Sequence, residues 1–119
     1  RQSGALFEKP AAAIFPGLLV AACYSTGKTE FTGVPAQAVL ERALARMGAR
    51  LTREGDGLTV AGTGALRGAA VDAAGDSAVT AYLIAAATAA DGVTEIQNAA
   101  GGFIDYFFAA GGKGVVYDD

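Results

Sequence analysis

Hydrophobic and polar positions alternate in two rhythms along this chain. From Pro16 to Ser25 nearly every position is apolar, the pattern of a helix buried on most of its sides. Gly27 follows, where a left-handed C-cap would stop that helix. Thr29-Glu30-Phe31-Thr32 then alternates as a half-buried strand. Pro35 suits the first turn of a second helix, in which Ala36, Val39, Leu40, Ala43, Leu44 and Met47 recur on one face. Glu41, Arg42 and Arg46 then look outward, and Gly48 ends the helix. Leu51–Glu54 and Leu58–Ala61 flank Gly55-Asp56-Gly57, which predicts a hairpin. Asp76 stands at an N-cap position ahead of a third helix over Ser77 to Ala90, closed by Asp91-Gly92. Val93 to Gln97 reads as a strand, Phe103 to Ala110 as a short aromatic helix, and Gly114 to Tyr117 as a last strand.

The pattern repeats. Leu18 to Phe31 lines up without gaps on Leu83 to Ile96, at a constant offset of 65, so that Gly27, Thr29, Glu30 and Phe31 meet Gly92, Thr94, Glu95 and Ile96. At the same offset Ala5-Leu6 falls on Ala70-Val71 and Val39 on Ile104. Such self-similarity marks repeated supersecondary units. The expectation is one domain over 1–119 with tandem βαβαββ-type units, the first about 3–64 and the second, truncated, about 68–119. Helices dominated by Ala approach one another closely, and strands such as Thr29–Thr32 keep one polar face. The fold class is therefore α/β with helices inside and sheets outside, the reverse of helices laid on a buried parallel sheet.

Composition narrows the functions. The chain has 119 residues, 52% apolar and 18% charged, which is enough apolar matter for one core and excludes disorder. A net charge of −3 argues against nucleic-acid and anionic-membrane partners, which need a clustered basic face. No apolar run reaches the roughly 18–20 residues of a membrane helix. Without His there is neither imidazole acid–base chemistry nor a His metal site; no metal and no cofactor is expected. The single Cys23 makes no internal disulfide, which fits a cytoplasmic setting.

Leu44 to Asp76 resembles the last part of EPSP synthase (3-phosphoshikimate 1-carboxyvinyltransferase). The stretch carries L-x-x-M-G-A, D-G-L-x-V-x-G and L-x-G-x-x-V-D-x-x-G-D in the order of that family. Gly92 to Ala99 is similar to the family's G-x-T-x-I-x-N-A, and Pro16 to Gly27 to its P-x-L-A-V-A-A-x-x-A-x-G. The resemblance, over roughly residues 10 to 110, implies repeated units with helices inside and sheets outside. It also implies a reaction, transfer of an enolpyruvyl group from phosphoenolpyruvate to the 5-hydroxyl of shikimate 3-phosphate. Such chemistry needs cations for two anionic substrates, and carboxylates and a lysine for proton transfer.

Those residues are where the chain departs from the family. The acidic pair of D-E-x-P falls on Ala13 and Ile14, and Gly33-Val34-Pro35-Ala36 stands where K-E-S-D-R belongs. In G-D-H-R the Asp survives as Asp76, but His and Arg become Ser77 and Ala78. The late S-[FY]-P-x-F-F segment keeps only Phe107-Phe108.

Three residues remain as site candidates. Asp76 is a relic catalytic carboxylate or a plain helix cap. Lys113, in Gly111-Gly112-Lys113-Gly114, marks an anion-binding nest or a helix-to-strand connection. Lys28 belongs to Ala22–Thr29, which meets a relaxed nucleotide-binding P-loop pattern, although the strand and Pro35 after it leave no room for the phosphate-cradling helix. Cys23 reads as a small hydrophobe, and the aromatics from Phe103 to Phe108 as core or as a partner patch. The favoured function is an EPSP-synthase-like domain, non-catalytic by itself, with a structural or interaction role. The alternative is a fragment of an enolpyruvyl transferase that needs a partner chain. A missing repeat would be completed by a second copy or by another chain.

Overall fold

The structure, a computed structural model, describes residues 4–100 and, as backbone strands, 104–110 and 113–118. In chain order the elements are β1 (Gly4–Glu8), α1 (Phe15–Tyr24), β2 (Lys28–Thr32), α2 (Ala38–Arg46), β3 (Arg50–Glu54), β4 (Gly57–Ala61), β5 (Ala70–Asp72), α3 (Ser77–Ala89), β6 (Thr94–Gln97), β7 (Ile104–Ala110) and β8 (Lys113–Asp118). They form two four-stranded sheets, ordered β1-β2-β4-β3 and β5-β6-β7-β8. Each sheet begins with a parallel pair joined by a helix, β1-α1-β2 and β5-α3-β6. The two then diverge. The first reaches the antiparallel hairpin β3-β4 through α2, whereas the second runs from β6 straight into antiparallel β7 and β8.

Burial alternates along the strands: Thr29 and Phe31 are buried, while Lys28, Glu30 and Thr32 face solvent. The inward faces meet the helices. α1 packs on β4, α3 on β6 and β7, and α2 touches β3 and β5 and so bridges the sheets, with all three helices in mutual contact. One continuous cluster runs through both halves, with Phe15, Leu19, Phe31, Leu44, Leu83 and Ile96 among its fully buried members.

The sequence reading holds at the amphipathic face of α2, where Leu40, Ala43 and Leu44 are buried, and at the tight turn of β3-β4, where Gly55 has φ +60°. It fails in five places. The segment read as an aromatic helix, from Phe103 to Ala110, is strand β7 over its described residues. A short apolar run is ambiguous between helix and strand, and aromatic residues beside an available partner strand settle into pleated pairing. With β7 a strand, the match of Val39, which lies in α2, to Ile104 also fails.

The offset of 65 is not uniform either. Glu30 pairs with Leu6 and Glu95 with Ala70, so the first strands correspond at 64. At the end of α1, Ser25 caps in an extended conformation (φ −73°, ψ 169°), and Gly27 is not among the left-handed glycines. The second helix starts at Ala38 after Gln37, three residues beyond Pro35. Finally, α1 and α3 bury one face each. Gly17 and Ala21 are exposed on α1, and Ala78, Ala81, Ala85 and Ala89 on α3. An all-apolar sequence sets no direction, and among the described residues one side of each helix carries the buried contacts.

Two buried groups give direct tests of this core. Burial raises the Cys23 thiol from 9.0 to about 11. The folded chain therefore keeps its thiol proton after the unfolded chain has lost it. Stability present below pH 9 should fall between pH 9 and 11, by up to about 1.4 kcal/mol per pH unit. Urea titrations of the parent and of Cys23→Ala across that range check it, because the variant should lack the slope. Thr94 Oγ1 is fully buried without a hydrogen-bond partner among the described residues. Thr94→Val replaces an unsatisfied hydroxyl by a methyl of similar shape and should stabilise the chain by about 1 kcal/mol, read from the urea midpoint.

Candidate functional site

The helix starts are where this topology places functional groups, because each follows the carboxyl end of a strand. Those of α1 and α2 follow the parallel strands β1 and β2, and that of α3 follows β5. At α1 the cap is Ile14, with no side-chain cap bond, no acidic residue in the first turn and 57% exposure. At α2 the approach is Gly33 to Gln37, where Val34 is buried and donates its amide to the Asp56 carbonyl. There the Glu41 carboxylate reaches back to accept from the Gln37 amide at 2.7 Å. At α3 Asp76 accepts from the Val79 amide at 3.0 Å.

Asp76 is thus engaged as a helix cap. Asp76→Ala should cost about 1 kcal/mol, and Asp76→Asn, an equally good cap without the charge, close to nothing; thermal unfolding of the two variants separates capping from any need for a carboxylate. Lys28 opens β2 and forms an exposed 3.4 Å ion pair with Glu30. No helix begins there: α1 ends at Tyr24, before the Gly27-Lys28-Thr29 segment, and β2 starts within it at Lys28. The hollow this segment lines, with Gly4, Ala5 and Ser25, holds about 110 Å³, well short of the roughly 300 Å³ at which ligand pockets begin. Lys113 opens β8, paired with Ala110 of β7, so the connection around it joins two strands. Gly111, Gly112 and Phe103 lie outside the described residues, as do the side chains of Lys113 and of the other aromatics in β7. The three candidates stand on three separate elements, and Lys28 and Asp76 share no hydrogen bond or ion pair among the described residues.

Two polar groupings were hidden from sequence reading. The first is Arg53 of β3. Its guanidinium holds both Glu41 oxygens, at 3.1 and 2.8 Å, and donates to the Val34, Pro35 and Gly55 carbonyls. Glu41, expected to look outward, is instead 15% exposed at its side chain, beside Arg53 at 21%. Burial alone would raise the Glu41 carboxyl, but hydrogen bonds from Arg53 and from the Gln37 amide outweigh it and hold the group below its ordinary range. The second is a cleft of about 340 Å³ between α2 and β5–β6, with Arg42 and Arg46 on one wall and Asp72 and Gln97 on the other. Both arginines are exposed, as expected, and Arg46 donates from Nε to the Ala70 carbonyl at 2.8 Å. Among the described residues no group of three or more His, Cys, Asp or Glu side chains gathers to hold a metal ion, and no helix is long and apolar enough to cross a membrane.

Comparison with known proteins gives one family. The sequence model of EPSP synthase (3-phosphoshikimate 1-carboxyvinyltransferase) matches residues 6–105. The 3-phosphoshikimate 1-carboxyvinyltransferase of Thermosynechococcus vestitus is 34% identical over 99 residues, covering 76% of this chain and 22% of that enzyme. The enzyme of the same name from Synechococcus sp. strain CC9605 is 33% identical over the same shares, and that of Synechococcus elongatus 41% identical over 69 residues, covering 58% of this chain and 15% of the relative. The chain thus spans about a fifth of the length of the relatives it matches.

Proposed function

The chain belongs to the EPSP synthase family, and on that premise we propose that it carries part of the family's scaffold and does not perform enolpyruvyl transfer by itself. One observation carries this reading: the starts of all three helices lack the charges the reaction needs. Ala13 and Ile14, Gly33 to Ala36, and Ser77 and Ala78 occupy the positions where the family places acidic and basic groups. The carboxylate left there, Asp76, is committed to its helix. Two multiply charged substrates need several cations at once, and none stands at those positions. Phosphate release from phosphoenolpyruvate and shikimate 3-phosphate tests the reading. No turnover above background is expected with the chain alone, and turnover would overturn it.

The role left to such a scaffold is structural or interactive. The exposed alanines support it, Ala21 on α1 and Ala78, Ala81, Ala85 and Ala89 on α3, since they form apolar surface with no cover among the described residues. A second copy or another chain laid on them would complete the packing, and a partner that also brought cations would make the alternative, a two-chain transferase. Sedimentation equilibrium should show a mass above 11.8 kDa at high concentration or with the partner; a monomer throughout contradicts self-association.

The duplicated origin of the units, about 3–64 and about 68–119, belongs to the same proposal. Its support is the shared β-α-β opening of the sheets. A Cβ on Gly4 would lie 3.4 Å from the Lys28 carbonyl, and one on Gly68 would collide with the Val93 carbonyl, residues that correspond at the 64 and 65 spacings. The buried, unbridged Cys23 suits a reducing, cytoplasmic compartment.

A further inference from the structure

The cleft between α2 and β5–β6 is separate from the three helix starts, and its two walls carry opposite charge. On the helix wall Arg42 and Arg46 stand one turn apart, on the same side of α2. Arg46 is anchored through Nε to the Ala70 carbonyl, which leaves its terminal nitrogens for another acceptor. Arg42 has no hydrogen bond or ion pair among the described residues. On the strand wall Asp72 uses one oxygen twice, accepting from the Ala74 amide at 2.7 Å and the Asn98 amide group at 3.0 Å, so its second oxygen remains open. Gln97 donates its amide nitrogen to Glu95 at 2.8 Å and so keeps its own oxygen as an acceptor. Val39, Ala43 and Val71 add apolar lining.

We infer that this cleft binds a small bipolar molecule, with a phosphate or carboxylate on Arg42 and Arg46 and an ammonium or hydroxyl donor on Asp72 and Gln97. A simple anion fits poorly, because it would meet the Asp72 carboxylate across the gap. A simple cation would meet two guanidinium groups. Only a ligand with both ends satisfies both walls, and about 340 Å³ accommodates one of metabolite size. Hydrogen bonds from Asn98 and the Ala74 amide, with Arg42 nearby, hold the Asp72 carboxyl below its ordinary range.

Amide NMR titration of the chain with phosphoethanolamine and with ethyl phosphate, which lacks the ammonium, tests this inference. Saturable shifts at residues 39–46 and 70–74 are expected with phosphoethanolamine, bound at least about tenfold more tightly than ethyl phosphate. The preference should vanish in Asp72→Asn, which retains an acceptor for Ala74 and Asn98. Both ligands should weaken at least about tenfold in Arg42→Gln, since the Arg42 side chain makes no hydrogen bond or ion pair among the described residues. Equal affinities, an unchanged preference in Asp72→Asn, or no saturable shift at the cleft would each overturn the inference.

Discussion

Phe31→Ala is expected to destabilise the chain by about 3–5 kcal/mol, a large part of the roughly 5–15 kcal/mol that holds a domain together. The ring is 1% exposed at the centre of the first unit. Phe7 stacks on it with centroids 5.5 Å apart, and Phe15 meets it edge-on at 5.1 Å. Removing it empties the junction between β1, β2 and the start of α1, where three rings fill one space. Fixed helices and strands cannot collapse into such a void, so the cavity cost adds to the lost burial. Urea unfolding followed by circular dichroism gives the value. Phe31→Leu, which keeps most of the volume, should cost less than half as much. Equal losses in the two variants would mean that β2 frays from the core and that the ring cluster does not organise it.

The second large effect is at Arg53. Arg53→Met keeps much of the stem but removes every donor from Glu41 and from the Val34, Pro35 and Gly55 carbonyls. A half-buried carboxylate and a turn then lose their partners together, at a cost of about 2–3 kcal/mol. Replacing the pair, in Arg53→Met/Glu41→Leu, should recover much of that loss, since no charge is left stranded.

Acid provides an independent reading of the same pair. The folded Glu41 carboxyl sits below its ordinary 4.5, so its contribution is present above that value and is lost as the pH falls through the lower folded value. In Arg53→Met that part of the acid dependence should be absent.

What the sequence disclosed was local. The face of α2, the glycine turn of β3-β4 and the Asp76 cap are each set by residues within a few positions of one another. What it concealed was long-range. Arg53 is twelve residues from Glu41, and nothing in the spacing says that β3 brings it back beneath the first turn of α2. The helical period placed Arg42 and Arg46 correctly on one side of α2, yet only the path of the chain into β5 turns that side into a cleft wall. β7 was misread because an aromatic run carries no period of its own, and the partner strand β6 decided its form. The emptied family positions were legible from the start, because an absent charge is visible in a sequence without any structure.

On the function proposed above, this chain retains the family scaffold without its substrate-binding charges. An amide NMR titration with shikimate 3-phosphate and phosphoenolpyruvate, read at the starts of α1 and α3, tests it most directly. Dispersed resonances with no saturable shift at Ala13, Ile14, Asp76 or Ser77 are expected. Saturable shifts at those four positions, lost in Asp76→Asn, would show a working substrate site and contradict the account.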